Sequence, residues 1–421
     1  MVKKIFIYTS ITLAVLFTIG WGFYLVRKYQ ANKQFVSTQS TTILSVAVDD
    51  LLLDNVSSLL KKKKSQVSDT TSKRNWLKDF FWNSGLKIPS RLFFFSLPQE
   101  QDNLFAILSV SNYETCLSFF VNHYPKQIEL IDKEKGLMAV KLHKYCHILF
   151  NKEFLALGVS TAEPELKQSL AALLDKPQSW QTAVSKATEI GFTFDKHVTL
   201  NRLDQTLAIG IDIRENKATI TGNWLLSQQQ PTKKMIRQLQ PTTDVLTFWS
   251  TLPFEETPLL ARISALVLGN ETASMKADYI DIQVSPQSTT QQDTIISYGY
   301  DDNFNSIETS EIRTLTVPKV SYTWRGTIKN KVQLPSKFFY NFYRTEVDNY
   351  EINSTSRDSE QQQFISTESP IFLAVDFGRW PNSWSMGLFE TWKASGLKVH
   401  IDSRIKEGRT LTINGHASIA D

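Results

Sequence analysis

One stretch constrains this chain more than any other. Ile5–Val26, IFIYTSITLAVLFTIGWGFYLV, contains no charged residue. At about 1.5 Å per residue a helix of this length reaches roughly 33 Å, enough to cross a bilayer core of about 30 Å. The run ends in Trp21, Phe23, Tyr24 and Leu25 rather than in small residues. The expectation is therefore an uncleaved anchor with Trp21 and Tyr24 at the membrane interface. Lys3 and Lys4 precede it, and Arg27, Lys28 and Lys33 follow. Counting the free amine with Lys3 and Lys4, the two sides are about even, so the positive-inside rule sets no direction. The long polar, β-rich remainder suggests a single-pass membrane protein: a cytoplasmic tail at 1–4, an anchor at 5–26, and a periplasmic or otherwise extracytoplasmic ectodomain.

Beyond the anchor, ordinary hydrophobic and charged fractions (42% and 21%) exclude wholesale disorder and a multi-pass membrane protein. A formal charge of +4 over 421 residues is too slight for a nucleic-acid-binding face. Residues 27–40 are polar and aperiodic and read as a stalk. Thr41–Val48 reads as a strand leading into a Leu-rich helix that ends in Lys61–Lys64, lysines that suit a solvated helix C-terminus. Arg91–Leu97 and Asn103–Ser109 are apolar strands. Ser111 and Glu114 have capping-box spacing, as do Ser160 and Glu163. Leu207–Ile213 and Ala218–Leu225 form a hairpin. Residues 227–241, Gln-rich with two prolines, read as a linker.

The second half echoes the first. Thr41–Val46 matches Thr242–Thr247, and Ser96-Leu97-Pro98-Gln99 matches Val284-Ser285-Pro286-Gln287. Leu207–Asp212 matches Leu397–Asp402, and Ile220-Thr221-Gly222 matches Ile413-Asn414-Gly415. The shared order predicts an internal duplication. The expected fold class is α+β: one N-terminal transmembrane helix followed by two related halves, 41–226 and 242–421, each an antiparallel sheet with covering helices.

Few residues suggest chemistry. Cys116 and Cys146 are the two cysteines; an even count permits a disulfide, and two buried thiols are the alternative. His143 and His147 would share a metal-binding face on a helix, but their segment reads as a strand, where they stand about 13 Å apart. Asp301, Asp302, Asn303 and Asn305 suggest a calcium loop, yet the sixth and twelfth places hold Ser306 and Ile312 instead of Gly and Glu. Arg379, Trp380 and Trp384, with Trp392 nearby, form the densest aromatic cluster and the best binding candidate; core packing is the alternative. No nucleophile elbow, Walker loop, dinucleotide fingerprint or zincin motif occurs. No catalytic residue, metal site or cofactor is assigned.

The anchor, the Phe-rich strand RLFFFSL followed by NLFAILSVSNYETCLSFF, and the closing hairpin resemble bacterial single-pass envelope proteins of unknown function with a duplicated α+β ectodomain. The resemblance implies a membrane-tethered, non-catalytic ectodomain that binds an envelope protein, lipid or glycan, with no nucleic-acid partner. The alternative is a membrane-tethered hydrolase using a carboxylate pair that the sequence does not identify.

Overall fold

The structure is a computed structural model. It describes residues 22, 25–29, 31–55, 79–80, 83–160, 166–189, 193–202, 207–253, 276–300, 306–327, 341–357, 363–382 and 387–420. The chain divides into two compact units, Met1–Glu215 and Asn216–Asp421.

The first unit contains β1 (Phe35–Ser37), β2 (Thr42–Ala47), α1 (Val48–Asp54), β3 (Leu86–Lys87), β4 (Arg91–Leu97), β5 (Glu100–Val110), α2 (Tyr113–His123), β6 (Ile128–Asp132), β7 (Leu137–His143), β8 (Cys146–Phe150), β9 (Phe154–Ser160), α3 (Leu166–Asp175), β10 (Trp180–Thr182), α4 (Ala183–Glu189), β11 (Val198–Arg202) and β12 (Leu207–Arg214). Its main sheet is antiparallel in the order β12–β11–β2–β4–β5–β9–β8–β7–β6. The strand β3 pairs with the end of β5, and β1 pairs with β10 apart from the main sheet.

The unbroken apolar runs of β4 and β5 follow from this arrangement. Alternate side chains of a strand point to opposite faces, and here both faces are covered. Phe93, Phe95, Phe105 and Ile107 pack with Leu166, Leu170, Leu173 and Leu174 of α3. Leu108, Ile148, Phe150 and Leu155 pack with Cys116, Phe119 and Phe120 of α2. Each fully buried Phe contributes about 1.5–3 kcal/mol. Asn112 caps α2, its side chain accepting from the Thr115 amide at 2.9 Å. The Ser111 hydroxyl instead donates to the Gly85 carbonyl at 2.7 Å. Gly85 has φ +67°, and a Cβ there would lie 2.5 Å from the Asn112 carbonyl, so this crossing requires glycine.

The polar segment 27–40 is docked against this unit. The Gln34 amide bonds the Phe93 backbone in both directions, at 2.8 and 3.0 Å, and the Arg27 guanidinium grips Asp49 at 2.7 Å.

The second unit contains β13 (Lys217–Leu225), β14 (Lys234–Arg237), β15 (Leu246–Ser250), β16 (Lys276–Tyr300), β17 (Ser306–Thr327), β18 (Tyr343–Val347), β19 (Tyr350–Ser354), β20 (Phe364–Thr367), β21 (Ile371–Asp376), α5 (Gly387–Ala394), β22 (Lys398–Lys406) and β23 (Thr410–Ser418). Its main sheet is antiparallel in the order β13–β23–β22–β21–β15–β16–β17–β19–β18. In β13 and β23, Thr221 faces Asn414, Ile220 faces Gly415 and Gly222 faces Ile413, so the two similar tripeptides lie against each other. A second sheet, β14 with β20, covers part of one face. Ile236, Leu239 and Phe364 pack there on Trp249, Tyr279 and Tyr350.

The strands β16 and β17 form a long ribbon. Near its base β16 also pairs with β15, and β17 with β19. The register slips between Val284 and Ser288, where Pro286, lacking an N–H, is tolerated in an irregularity. Gln291 ties the ribbon to Asn341 and Thr355 through bonds of 2.7–2.8 Å. Beyond it the two strands pair only with each other among the described residues.

Two expectations are corrected. The protein is predominantly β rather than α+β. The α-helices given above span 7–11 described residues each, and in the second unit a small sheet does part of the covering expected of helices. The physical reason lies in the polar stretch 285–293, which reads as a loop by hydrophobic alternation. A ribbon outside the core needs only β-favouring residues and a paired backbone, not an apolar face. The single-pass membrane assignment, with its extracytoplasmic ectodomain, is also withdrawn. Among the described residues no helix is long and apolar enough to cross a membrane. Most of Ile5–Val26 lies outside those residues, as do Lys61–Lys64 and residues 301–305.

Candidate functional site

The site grows from an alternating strand. In β16, Tyr279, Asp281 and Gln283 lie on one face, and Ile280 and Ile282 lie on the other. Asp281 is fully buried and Arg237, at the end of β14, is 5% exposed. The Arg237 guanidinium donates to Asp281 through Nε at 3.1 Å and Nη2 at 2.5 Å, and Nη2 also donates to Ser321 Oγ at 3.0 Å. The Tyr279 hydroxyl donates to Asp281 Oδ2 at 2.6 Å and accepts from the Arg237 amide at 2.9 Å. Burial pushes the Asp281 carboxyl upward, and the Arg237 charge and hydrogen bonds pull it down, leaving it above the ordinary carboxylate value. Burial, then the charge of Asp281, raises the Tyr279 phenol. The network pins Arg237 where it lines a cavity of about 350 Å³.

Four strands supply much of the lining. From β16 come Gln283, Ser285 and Gln287; from β17, Lys319 and Ser321; from the β18–β19 hairpin, Tyr343, Thr345, Ile352 and Ser354. Asp348 and Asn349 both adopt positive φ in the two-residue turn of that hairpin, the backbone that joins closely paired strands with native twist. Gln238, Gln240, Thr243, Asp244, Ser356, Arg357 and Gln363 complete the lining. Gln283 donates to Asp244, and the Arg357 guanidinium sits 4.7 Å from the centre of the Tyr343 ring. Asp244 is the one carboxylate among the described lining residues.

The aromatic cluster lies elsewhere in the same unit. Trp380 is 5% exposed and packs with Val245, Val375 and Phe377. Phe377 stacks on Trp380 at 5.5 Å and meets the edge of Trp392, which is 38% exposed, at 5.0 Å. Arg379 donates to the Thr243 carbonyl at 2.8 Å. Trp384 lies outside the described residues. Trp380 thus serves the core.

Cys116 and Cys146 are both free thiols. Burial raises both, Cys116 to about 12. The segment carrying His143 and His147 is a hairpin in which His143 pairs with Cys146 and Lys141 with His147. No group of three or more metal-ligating side chains occurs among the described residues.

The first unit holds a separate charge network. His197 Nδ1 accepts from the Ile213 amide at 3.0 Å, leaving Nε2 to face Asp54 at 3.3 Å. Asp212 lies 3.5 Å from Nδ1 and bonds Lys196 at 2.8 Å. Burial alone would raise Asp212, but Lys196 and His197 outweigh it and hold the carboxyl below its ordinary value. A lowered carboxylate paired with a lysine suits structural pairing rather than proton donation.

Arg237 and Asp281 are the residues that sequence reasoning missed. Arg237 lies within the stretch that reads as a linker. The available signal was Asp281 itself: an acid between Ile280 and Ile282, on the same strand face as Tyr279, requires a cation if that face is buried.

No protein-family model and no curated protein matches the chain. Among solved structures it is similar to crystal form IV of TP0453, at 11% identity and a TM-score of 0.29, over 44% of this chain and 77% of that one. It is also similar to crystal form I of TP0453, at 7% identity and a TM-score of 0.24, over 78% of this chain and 89% of that one. The resemblance is loose.

Proposed function

We propose that this is a non-catalytic binding protein whose second unit holds a glycan in the polar cavity. The observation that carries the reading is the lining: five glutamine amides, serine and threonine hydroxyls, and the ring of Tyr343 around about 350 Å³. Amides and hydroxyls both donate and accept, as a hydroxyl-rich ligand requires, and an aromatic ring offers a flat apolar surface to a sugar. The volume falls within the usual range for small-ligand sites, about 300–1,000 Å³.

The lining weighs against a hydrolase. Glycoside cleavage ordinarily uses two carboxyls flanking the bond, about 5–9.5 Å apart. Here Asp244 is the one carboxylate among the described lining residues, and Asp281 is held by Arg237 and Tyr279. Titration of the full-length protein with maltotriose and with trigalacturonate, followed by mass analysis of the sugar, tests the reading. Saturable binding with the sugar recovered intact supports it. Failure of both to bind, or cleavage of either, sinks it.

A further inference from the structure

The arm formed by β16 and β17 carries a pattern unrelated to the cavity. From Gln292 opposite Thr314 to Tyr300 opposite Ser306, the two strands keep one unbroken register. Among the described residues each pairs there only with the other, so each presents an outer edge of backbone N–H and C=O groups. Such an edge is a template for another strand, and two strands by themselves are marginal in water. Ile296, Tyr298 and Ile312 are exposed on one face of the arm. Glu311 and Arg313 of β17 are two residues apart and so share the opposite face. Both are exposed. Within the arm Arg313 stands opposite Asp293, whereas Glu311 stands opposite Ile295 and meets no cation there.

We infer that a second copy of this chain docks on the arm, the β17 strands of the two copies pairing antiparallel about a two-fold axis at Ile312. The two ribbons then form one four-stranded sheet. Three features of the sequence suit this register. Ile312 stands opposite its own copy, while Glu311 faces the partner's Arg313 and Arg313 faces the partner's Glu311. Each Arg313 then lies between two acids, Asp293 of its own arm and the partner's Glu311. Opposite charges and apolar groups placed directly across a strand pair are favourable, and like charges there are unfavourable. Moving the axis by one residue would set Glu311 against Glu311, or Arg313 against Arg313, so the charges specify the register. The axis stands perpendicular to the sheet and leaves the exposed Ile296, Tyr298 and Ile312 of both arms on one side. The contact is isologous, the commonest closed form of self-association. It is also small, so the dimer is a weak one that forms in concentrated protein. In it β16 stays an outer strand, and the arm remains less protected than the sheet at its base.

Sedimentation equilibrium of the full-length protein over a wide range of concentration tests the inference. The parent should dimerise at high concentration. Arg313→Glu or Glu311→Arg alone replaces two attractive pairs by two repulsive ones, and should weaken dimerisation at least about tenfold. The double variant Glu311→Arg/Arg313→Glu restores opposite charges across the axis and should dimerise like the parent. A mixture of the two single variants should form a mixed dimer. These comparisons separate pairing through the arm from any association through Ile5–Val26, which the charge variants leave intact. The positions are exposed, so melting midpoints in dilute protein should be unchanged. On oxidation Ile312→Cys should link two copies, whereas Tyr298→Cys, on the far strand, should not. A parent that stays monomeric, or a dimer indifferent to either single variant, overturns the inference. So does a loss that neither the double variant nor the mixture repairs, or linkage of Tyr298→Cys as readily as of Ile312→Cys.

Discussion

Arg237 and Asp281 form a two-point ion pair inside the second unit, joining the small β14–β20 sheet to the long strand β16. Breaking a buried pair by removing one partner costs about 3–5 kcal/mol, because the remaining charge is left uncompensated. Asp281→Ala should therefore lower unfolding stability by about that amount, as measured by denaturant titration. Replacing both residues together, Arg237→Met with Asp281→Leu, should recover much of the loss. A double variant no more stable than Asp281→Ala would argue against the pair as the origin of the effect.

Trp380 and Trp392 should behave differently on truncation. Trp380 is packed among Val245, Val375 and Phe377, so Trp380→Ala should cost about 3–5 kcal/mol. Trp392 is partly exposed, and Trp392→Ala should cost clearly less. Thermal or denaturant unfolding of the two variants checks this; equal losses would contradict the assignment of Trp380 to the core.

The ribbon should be the least protected part of β16 and β17. Beyond Gln291 it is a two-stranded arm with Ile296, Tyr298 and Ile312 exposed on one face, Tyr298 at 74% and Ile312 at 68%. Isolated two-stranded pairs are marginal in water. Amides at 292–300 and 306–314 should exchange with deuterium far faster than those at 279–284 and 321–325, which lie within the larger sheet. Uniform protection along the ribbon would contradict this.

The thiol of Cys116 supplies a pH dependence. Burial raises its pKa to about 12 in the folded protein. A raised folded-state value means that the unfolded chain loses the proton first. The corresponding stability is complete below about pH 8.5, the ordinary thiol value, and is lost as pH rises towards about 12. Alkaline denaturation between these limits should be shallower in Cys116→Ala than in the parent, once their stabilities are compared at neutral pH. Native Cys116 should also react slowly with thiol reagents. Rapid labelling at neutral pH without unfolding would count against the buried placement.

Strands with apolar content were the most legible part of the fold. RLFFFSL corresponds to β4, and the closing hairpin, read from the pattern as Leu397–Ile405 and Thr410–Ala417, lies within one residue of β22 and β23. Their patterns arise from burial, which periodicity reads directly. The ribbon was illegible beyond its apolar patches, since its polar middle is held by backbone pairing. The site was less legible still. Trp380 drew attention as a large aromatic, but large aromatics are mostly core. Arg237 sat in a Gln-rich, Pro-flanked stretch, and its partner lies 44 residues away. Local sequence carries little information about such a contact. What remained readable was the demand made by Asp281 on a buried strand face.

The most direct test of the central claim is the response of the glutamine side-chain amides to a bound sugar. The full-length protein would be labelled with ¹⁵N-glutamine and titrated with trigalacturonate, the Gln238, Gln240, Gln283, Gln287 and Gln363 signals being identified by substitution. These five line the cavity. Saturable shifts concentrated in this set, with Gln34 and Gln291 unmoved in their buried backbone contacts, are the predicted result. Saturable shifts confined to glutamines outside the cavity, or no shifts at all, would contradict it.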